Sequence, residues 1–372
     1  MDAKEIYAKT TRHFLRPVVS LLEDPSVSEV LINGPETIYF ERAGKLSHAE
    51  GVRFPSEAAL MAAARNIAEY AGRSLAHGEH SMDARLPDGS RVHVILPPSS
   101  RVGVCISIRK FSQSSLDLDQ LVQWGTLSAE AREFLAIVVK LHRNIVIAGG
   151  TGSGKTSLLN ALSSEISPDE RIVVIEDSSE LQLTQAHTIY LEGQPSTPDG
   201  DPAVTIRDLF VDSLRMRPDR IIVGEVRRGE ALDLVQSMIS GHSGAMTTVH
   251  ATTARDAAIR LETLSMMGGV NLPVHVARVQ VASAIHLVLQ IMRFPDGKRR
   301  VHAISECLGL DEQGEYRFQD IYRLQMEAMG EDGQTRGTLE ATGAIPSFSD
   351  QVGMLGLQPL VKRTRNIFPA PL

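Results

Sequence analysis

Two domains are predicted for this 372-residue chain: a smaller α+β unit first, then a larger α/β unit with a parallel sheet. Three observations predict them. Short strand-like runs separated by turn residues crowd the opening third of the chain. The polar stretch SQSSLDLDQ changes the composition at residues 112–120. Beyond it strand, glycine-rich loop, helix and strand follow one another, the pattern of an open parallel sheet covered by helices on both faces.

Residues 4–22 read as a helix. Three strand-like runs come next, SEVLING, TIYFER and the segment around KLSHAEGVRF, with Asn-Gly-Pro and Ala-Gly turns between them. Ser56 is placed to cap a helix over EAALMAAARNIAEYAG, which Gly72 ends. Pro87-Asp88-Gly89 fits a tight hairpin between MDARL and SRVHVIL, and CISIRKF closes the unit. The expected boundaries are an amino-terminal domain at 1–111, a linker at 112–125, an α/β domain at 126–310 and a carboxyl-terminal extension at 311–372. In the second domain SAEAREFLAIVVKLH is a helix, NIVIA, RIVVI and RIIV are buried strands, and LEGQPSTPDGDPAVT is an exposed loop. After residue 311 the periodicity weakens, although FQDIYRL still reads as ordered.

Hydrophobic residues make up 42% of the chain and charged residues 22%, the balance of a folded globular protein. A net charge of -7 argues against a general nucleic-acid binder, which needs excess Lys and Arg to neutralise phosphates. Cys105 and Cys307 are far apart in strand-like runs, so neither a disulfide framework nor a metal cluster is expected. No signal peptide is read at the amino end, and the apolar run FLAIVVKLHRNIVIAGG is interrupted by Lys140, His142, Arg143 and Asn144. Direct membrane insertion is therefore not expected.

Residues 149–156, GGTGSGKT, match G-x-x-x-x-G-K-[ST] between a strand and a helix. Gly150, Thr151, Gly152, Ser153, Gly154, Lys155, Thr156 and the following Ser157 are the candidate ATP-binding residues. Backbone N–H groups of such a loop converge on phosphate oxygens, Lys155 reaches the β and γ phosphates, and the Thr156 hydroxyl faces Mg²⁺. RIVVI ends in Glu176-Asp177, with Glu180 close behind, and RIIV ends in Gly224-Glu225. In a parallel sheet these acids arrive at the same edge as the loop. Glu225 is expected to act on water, with Glu176 and Asp177 contacting the metal through water. Gly224 stands where many nucleotide hydrolases carry a metal-holding Asp, so no direct ligand is expected from that strand. His242 and His250 flank a short strand and are candidates for sensing the γ-phosphate. Arg85, Arg91 and Arg109 on the first domain's closing strands are candidates for a cation on the transferred phosphoryl group.

The glycine loop, IEDSSEL, RMRPDRIIVGEVRRGEALDL and GHSGAMTTVHA resemble, in order, the Walker A, Asp-box, Walker B and His-box motifs of the type II/type IV secretion ATPases. SEVLINGPETIYFERAGKL, DARLPDGSRVHVILPP and SIRKF are similar to the amino-terminal domain of the branch that drives tight-adherence (Flp-type) pili, and RLETLSMMGG, VQVASAIHLVLQ and DGKRRVHAISE to its distal segment. The resemblance covers roughly residues 20–325. It implies a RecA-like P-loop ATPase domain and a homohexameric ring hydrolysing MgATP at a membrane-bound platform protein on the cytoplasmic side of an inner membrane. It further implies nucleotide bound between the two domains, Glu225 as the catalytic carboxylate, roles for Glu176 and His250, and completion of the site by Arg91 and Arg109. Two departures from the branch are read: the long amino-terminal extension common there is not expected, and His286 occupies a position where the branch leads one to expect Asp. A conjugation or effector-secretion ATPase of the same family keeps the same chemistry with another partner. A nucleotide-gated ring with little turnover is the third alternative.

Overall fold

The computed structural model describes residues 3–42, 44–73, 75, 80–111, 116–194, 196, 202–327 and 335–369. It divides into two compact units, Met1–Ser114 and Ser115–Leu372.

The first unit opens with α1 (Ala3–Phe14) and a short α2 (Val19–Glu23), separated by a 3-10 turn at Arg16–Val18. The single helix expected over 4–22 is thus broken, because Pro17 has no N–H to donate and its ring crowds the preceding turn. Strands β1 (Val27–Asn33), β2 (Thr37–Arg42) and β3 (Lys45–His48) form a meander, and α3 (Glu57–Tyr70) starts where the Ser56 side chain accepts the Ala59 N–H. With β4 (Ser81–Arg85), β5 (Arg91–Ile95) and β6 (Cys105–Arg109) they make an antiparallel sheet in the order β3-β2-β1-β6-β5-β4. Alternate residues of β1, β5 and β6, among them Val30, Ile32, Val92, Val94, Ile106 and Ile108, face one core with Leu60, Ala64 and Ile67 of α3.

The second unit begins within the stretch expected to be a linker. Residues 112–115 of that stretch lie outside the described residues, but α4 (Leu118–Gln123) is a capped helix whose Leu118 and Leu121 are buried in the second unit's core. Then come α5 (Ala129–Lys140), β7 (Ile145–Ala148), α6 (Lys155–Ser163), β8 (Ile172–Glu176) and β9 (Thr188–Glu192). The expected exposed loop follows β9; its residues 195 and 197–201 lie outside the described residues, and Gln194 bridges Val204. After it run α7 (Ile206–Ser213), β10 (Arg220–Val223), α8 (Glu230–Ile239), β11 (Met246–Val249), α9 (Ala254–Met266), α10 (Val274–Ala284) and β12 (Leu287–Arg293).

Among the described residues the sheet order is β15-β14-β13-β12-β7-β11-β10-β8-β9, parallel from β12 to β9. The remaining strands, β13 (Arg299–Leu310), β14 (Tyr316–Met326) and β15 (Gly337–Ala341), are added antiparallel beyond β12. Residues 311–372, expected as an extension, are therefore part of the same sheet as far as β15; residues 328–334 and 370–372 lie outside the described residues. A final short α11 (Gln351–Met354) leads to Phe368, which stacks on Phe134 of α5 at 5.5 Å.

The parallel strands are buried on both faces and divide their side chains by parity. Ile145, Ile147, Ile172 and Val174 pack against α4, α5 and α6, whereas Val146, Ala148, Val173 and Ile175 pack against α7 to α10. Among the described residues no helix is long and apolar enough to cross a membrane.

Candidate functional site

The parallel register brings the strand ends together. Ala148 at the end of β7 is level with Val249 at the end of β11, and Val223 at the end of β10 is level with Thr247 of β11 and Ile175 of β8. Gly149, Glu176, Gly224 and His250 therefore lie at one edge of the sheet, the carboxyl edge on which open α/β sheets bind ligands.

The glycine loop turns from β7 into α6 with Gly152 at φ +69° and Gly154 at φ +95°. Such alternation lets successive N–H groups face one concavity. Gly154 caps α6 without a side chain, so the first N–H groups of that helix have no side-chain acceptor there. The Ser153 N–H, the Ser153 hydroxyl and the Lys155 ammonium all donate to Gly150 O, at 3.4, 2.8 and 3.0 Å. Three donors converging on one oxygen is the arrangement that suits a phosphate oxygen. Gly150, Thr151, Gly152 and Ser157 are exposed, and Thr156 is half-buried in the first turn of α6.

Across the edge, Lys155 Nζ lies 3.5 Å from His250 Nδ1, and His250 Nε2 lies 2.8 Å from Glu225 Oε1. Burial and the neighbouring Lys155 hold the His250 pKa below its ordinary value, against the pull of Glu225, so the ring is neutral at neutral pH. With an ammonium facing Nδ1, the ring proton belongs on Nε2, toward the carboxylate. The Arg227 guanidinium grips the other oxygen, Glu225 Oε2, through Nε at 2.9 Å and Nη2 at 2.6 Å. Its Nη1 lies 3.5 Å from Asp177, and Glu180 adds to the field that keeps Arg227 charged. Glu225 Oε1 is buried, and no donor among the described residues is aligned with it. The ion-pair separation to His250 is short, but its angle is not that of a hydrogen bond.

Glu176 is 5% exposed and accepts the backbone N–H groups of Glu180 and Leu181. A Cβ on Gly224 would come within 2.9 Å of Glu176 Cγ, so the missing side chain just after β10 is what makes room for the acid on β8. Among the described residues no group of three or more His, Cys, Asp or Glu could enclose a metal. The oxygen donors at this edge, the Thr156 hydroxyl and the half-exposed Asp177 carboxylate, fit Mg²⁺, which takes few protein ligands and completes its shell with water and phosphate.

One candidate of this unit does not reach this edge. His242 precedes β11, at the amino end of the sheet, and its N–H donates to Ser237 O of α8. Arg85, Arg91 and Arg109 lie in the first unit, where the structure brings them into one row. Arg109 pairs with Arg91 across β6 and β5, and Arg91 with Arg85 across β5 and β4, with Glu29 at the end of the row. Registered neighbours share a face, and the buried Val92 and Ile108 point to the other one.

Three basic residues at this edge escaped the sequence analysis. Arg227 follows Glu225 by two positions, a spacing that could have signalled it. Arg299 donates from Nε to Gly152 O at 3.0 Å, and a Cβ on Gly152 would lie 3.4 Å from Arg293 Nη1. These two come from the β12–β13 hairpin, and only the pairing of β12 with β7 carries them to the loop.

Over residues 12–332 the sequence matches the family described as Type II/IV secretion system protein. It is 34% identical to a putative conjugal transfer protein of Mycobacterium tuberculosis over 291 residues, 77% of this chain and 82% of that protein. It is 35% identical to the type IV secretion system protein PtlH of Bordetella pertussis over 299 residues, 73% of this chain and 87% of that one. Among solved structures, the fold is similar to that of the Legionella pneumophila ATPase DotB, with a TM-score of 0.55 at 20% identity over 81% of this chain and 82% of the other. Neither sequence relative's name refers to a tight-adherence pilus.

Proposed function

This chain belongs to the type II/IV secretion system protein family and hydrolyses ATP; on that premise we propose that it is the homohexameric motor of a conjugation or type IV secretion machine. It works at the inner face of an inner membrane, held there by a platform protein, and takes MgATP as its substrate. The likeness to a conjugal transfer protein and to PtlH supports the choice of machine, and the chain of contacts Lys155–His250–Glu225 beside the glycine loop supports the motor's chemistry.

The residues divide the work by chemistry. Lys155 and the N–H groups of residues 150–157 bind the phosphates. Thr156, with Asp177 through a water, would hold Mg²⁺, which when bound would supply positive charge for the phosphates. Glu225 Oε1 accepts the proton of the attacking water, while Arg227 holds Oε2 in place. His250 links that carboxylate to Lys155, so a change at the γ-phosphate is felt at the base. Arg91 and Arg109, cross-strand neighbours on β5 and β6, supply the cation that phosphoryl transfer needs.

Lys155→Ala is expected to abolish ATP binding and turnover together. Glu225→Gln should still bind ATP while turnover falls by about 10²-fold or more. Turnover by Glu225→Gln at the parent rate would sink the assignment of the base.

A second use of the same chemistry is assembly of tight-adherence pili, which the segments SEVLINGPETIYFERAGKL and DARLPDGSRVHVILPP favour; they form β1 to β3 and β4 to β5 of the first unit. A deletion strain separates the two. Loss of surface pili with DNA transfer and effector secretion intact identifies the pilus motor, and the opposite outcome identifies the conjugation or secretion motor.

A further inference from the structure

We propose, resting on the assignment of the glycine loop as the nucleotide site, that Arg299 is a positioning residue: its guanidinium fixes the Gly152–Ser153 peptide so that the Ser153 N–H keeps the inward direction in which it meets Gly150 O in this structure and would meet the nucleotide's β-phosphate. Arg299 Nε donates to Gly152 O at 3.0 Å. Its stem lies flush against the loop, since a Cβ on Gly154 would meet Arg299 Cδ at 3.0 Å. In a trans peptide the C=O and the following N–H point to opposite sides. Holding the Gly152 carbonyl toward Arg299 therefore turns the Ser153 N–H away from it. That N–H points to Gly150 O, the same spot on which the Ser153 hydroxyl and Lys155 Nζ converge.

The loop needs a hold from outside. Gly152 and Gly154, on either side of this peptide's second residue, sit at φ +69° and +95°, and glycine crosses between such conformations with little resistance. A planar guanidinium gives a directional bond that a hydrated ammonium gives less well. The sheet supplies the anchor's own rigidity, because Arg299 starts β13 and pairs with Arg293 at the end of β12, the strand beside β7.

An anchor on the β-phosphate nest acts equally on ADP and ATP, whereas a guanidinium on the γ-phosphate would act on ATP and on turnover. The test uses the full chain, with MgADP affinity by calorimetry and KM and kcat for MgATP. Arg299→Ala is expected to weaken ADP binding and to raise KM for ATP by a similar factor, about tenfold, with a much smaller change in kcat. Arg299→Lys should recover part of that loss. Amide exchange of the nucleotide-free protein should rise at residues 150–156 in Arg299→Ala, with the thermal midpoint unmoved. Parental ADP affinity in Arg299→Ala overturns the proposal, as does a loss confined to ATP and accompanied by a fall in kcat. Nucleotide binding by the parent that disappears in Lys155→Ala upholds the site itself whatever Arg299 does; a parent that binds neither nucleotide overturns both.

Discussion

At Gly224 a hydrogen in place of a side chain decides what the neighbouring strand can carry. The Glu176 side chain occupies the space that a side chain just after β10 would take, and backbone N–H groups of Glu180 and Leu181 hold its carboxylate there. Gly224→Ala must displace an acid with little freedom to move. The variant is expected to lose about 1–3 kcal/mol of stability and to hydrolyse ATP more slowly, read by thermal denaturation and steady-state turnover. A second residue gives a pH signature. His286 Nδ1 accepts the Asn144 N–H at 2.8 Å, and burial together with Arg143 pushes its pKa down to about 4. As pH falls, the unfolded chain takes up this proton before the folded one does. Stability from this group is thus full above about pH 6.5 and is lost progressively toward pH 4, by on the order of 3 kcal/mol. His286→Asn keeps an acceptor that does not titrate. Its unfolding midpoint, followed from pH 7 to pH 4, should fall less steeply than the parent's; parallel curves would contradict this account.

Among the elements, α5 serves two partners at once. Its apolar face, Phe134, Leu135 and Val138, lines the core, while Glu133 reaches the carboxyl-terminal segment. That carboxylate accepts the N–H groups of Lys362, Arg363 and Thr364 and the Thr364 hydroxyl. Partial burial works against its ionisation, but these hydrogen bonds outweigh it and hold its pKa below the usual value. Glu133→Ala removes the acceptor from four donors at once. The expected result is a loss of about 1–2 kcal/mol and faster proteolysis after residue 355, with nucleotide affinity unchanged. Proteolysis at the parental rate would show that Phe368 stacking on Phe134 holds the segment by itself.

In the molecule as a whole, the two edges of the large sheet have different duties. At the amino edge the fully buried Asn144 binds Ala284 O, Gly244 N and Ala245 N, and the buried Arg220 pairs with Glu170 and donates to Val139 O. These bonds satisfy polar groups that burial would otherwise penalise, and they hold strands and helices in place. The carboxyl edge carries the groups assigned to phosphate chemistry. Each unit has its own core, so residues 115–372 are expected to fold alone and to bind ATP through their own loop. If Arg91 and Arg109 act on the γ-phosphate, that fragment should turn over far more slowly than the intact chain. Arg91→Ala and Arg109→Ala in the intact chain should then lose turnover more than affinity, by up to about 10³-fold. A fragment as fast as the intact chain would remove both arginines from the mechanism.

Local chemistry determined much of this protein. Glycines at 152 and 154, the Ser56 and Ser128 caps, and short β-branched runs each act over a few residues, so the glycine loop, most helices and the parallel strands are legible in the sequence. So is the meeting of Lys155, Glu176, Glu225 and His250, because parallel strands must end at one edge. Pro17 was legible in principle, since the residue that breaks the first helix is printed there. Other features depend on which strand lies beside which. The row Arg85–Arg91–Arg109, the placing of Arg299 on Gly152 and the filling of Gly224's space by Glu176 join residues from separate strands. The carboxyl-terminal residues gave no periodicity because several of them pack as single side chains, such as Phe348 and Phe368, on a core built elsewhere. Tertiary structure decided these points for one reason: sheet order and register are set by packing across the whole unit, and no local stretch of sequence carries them.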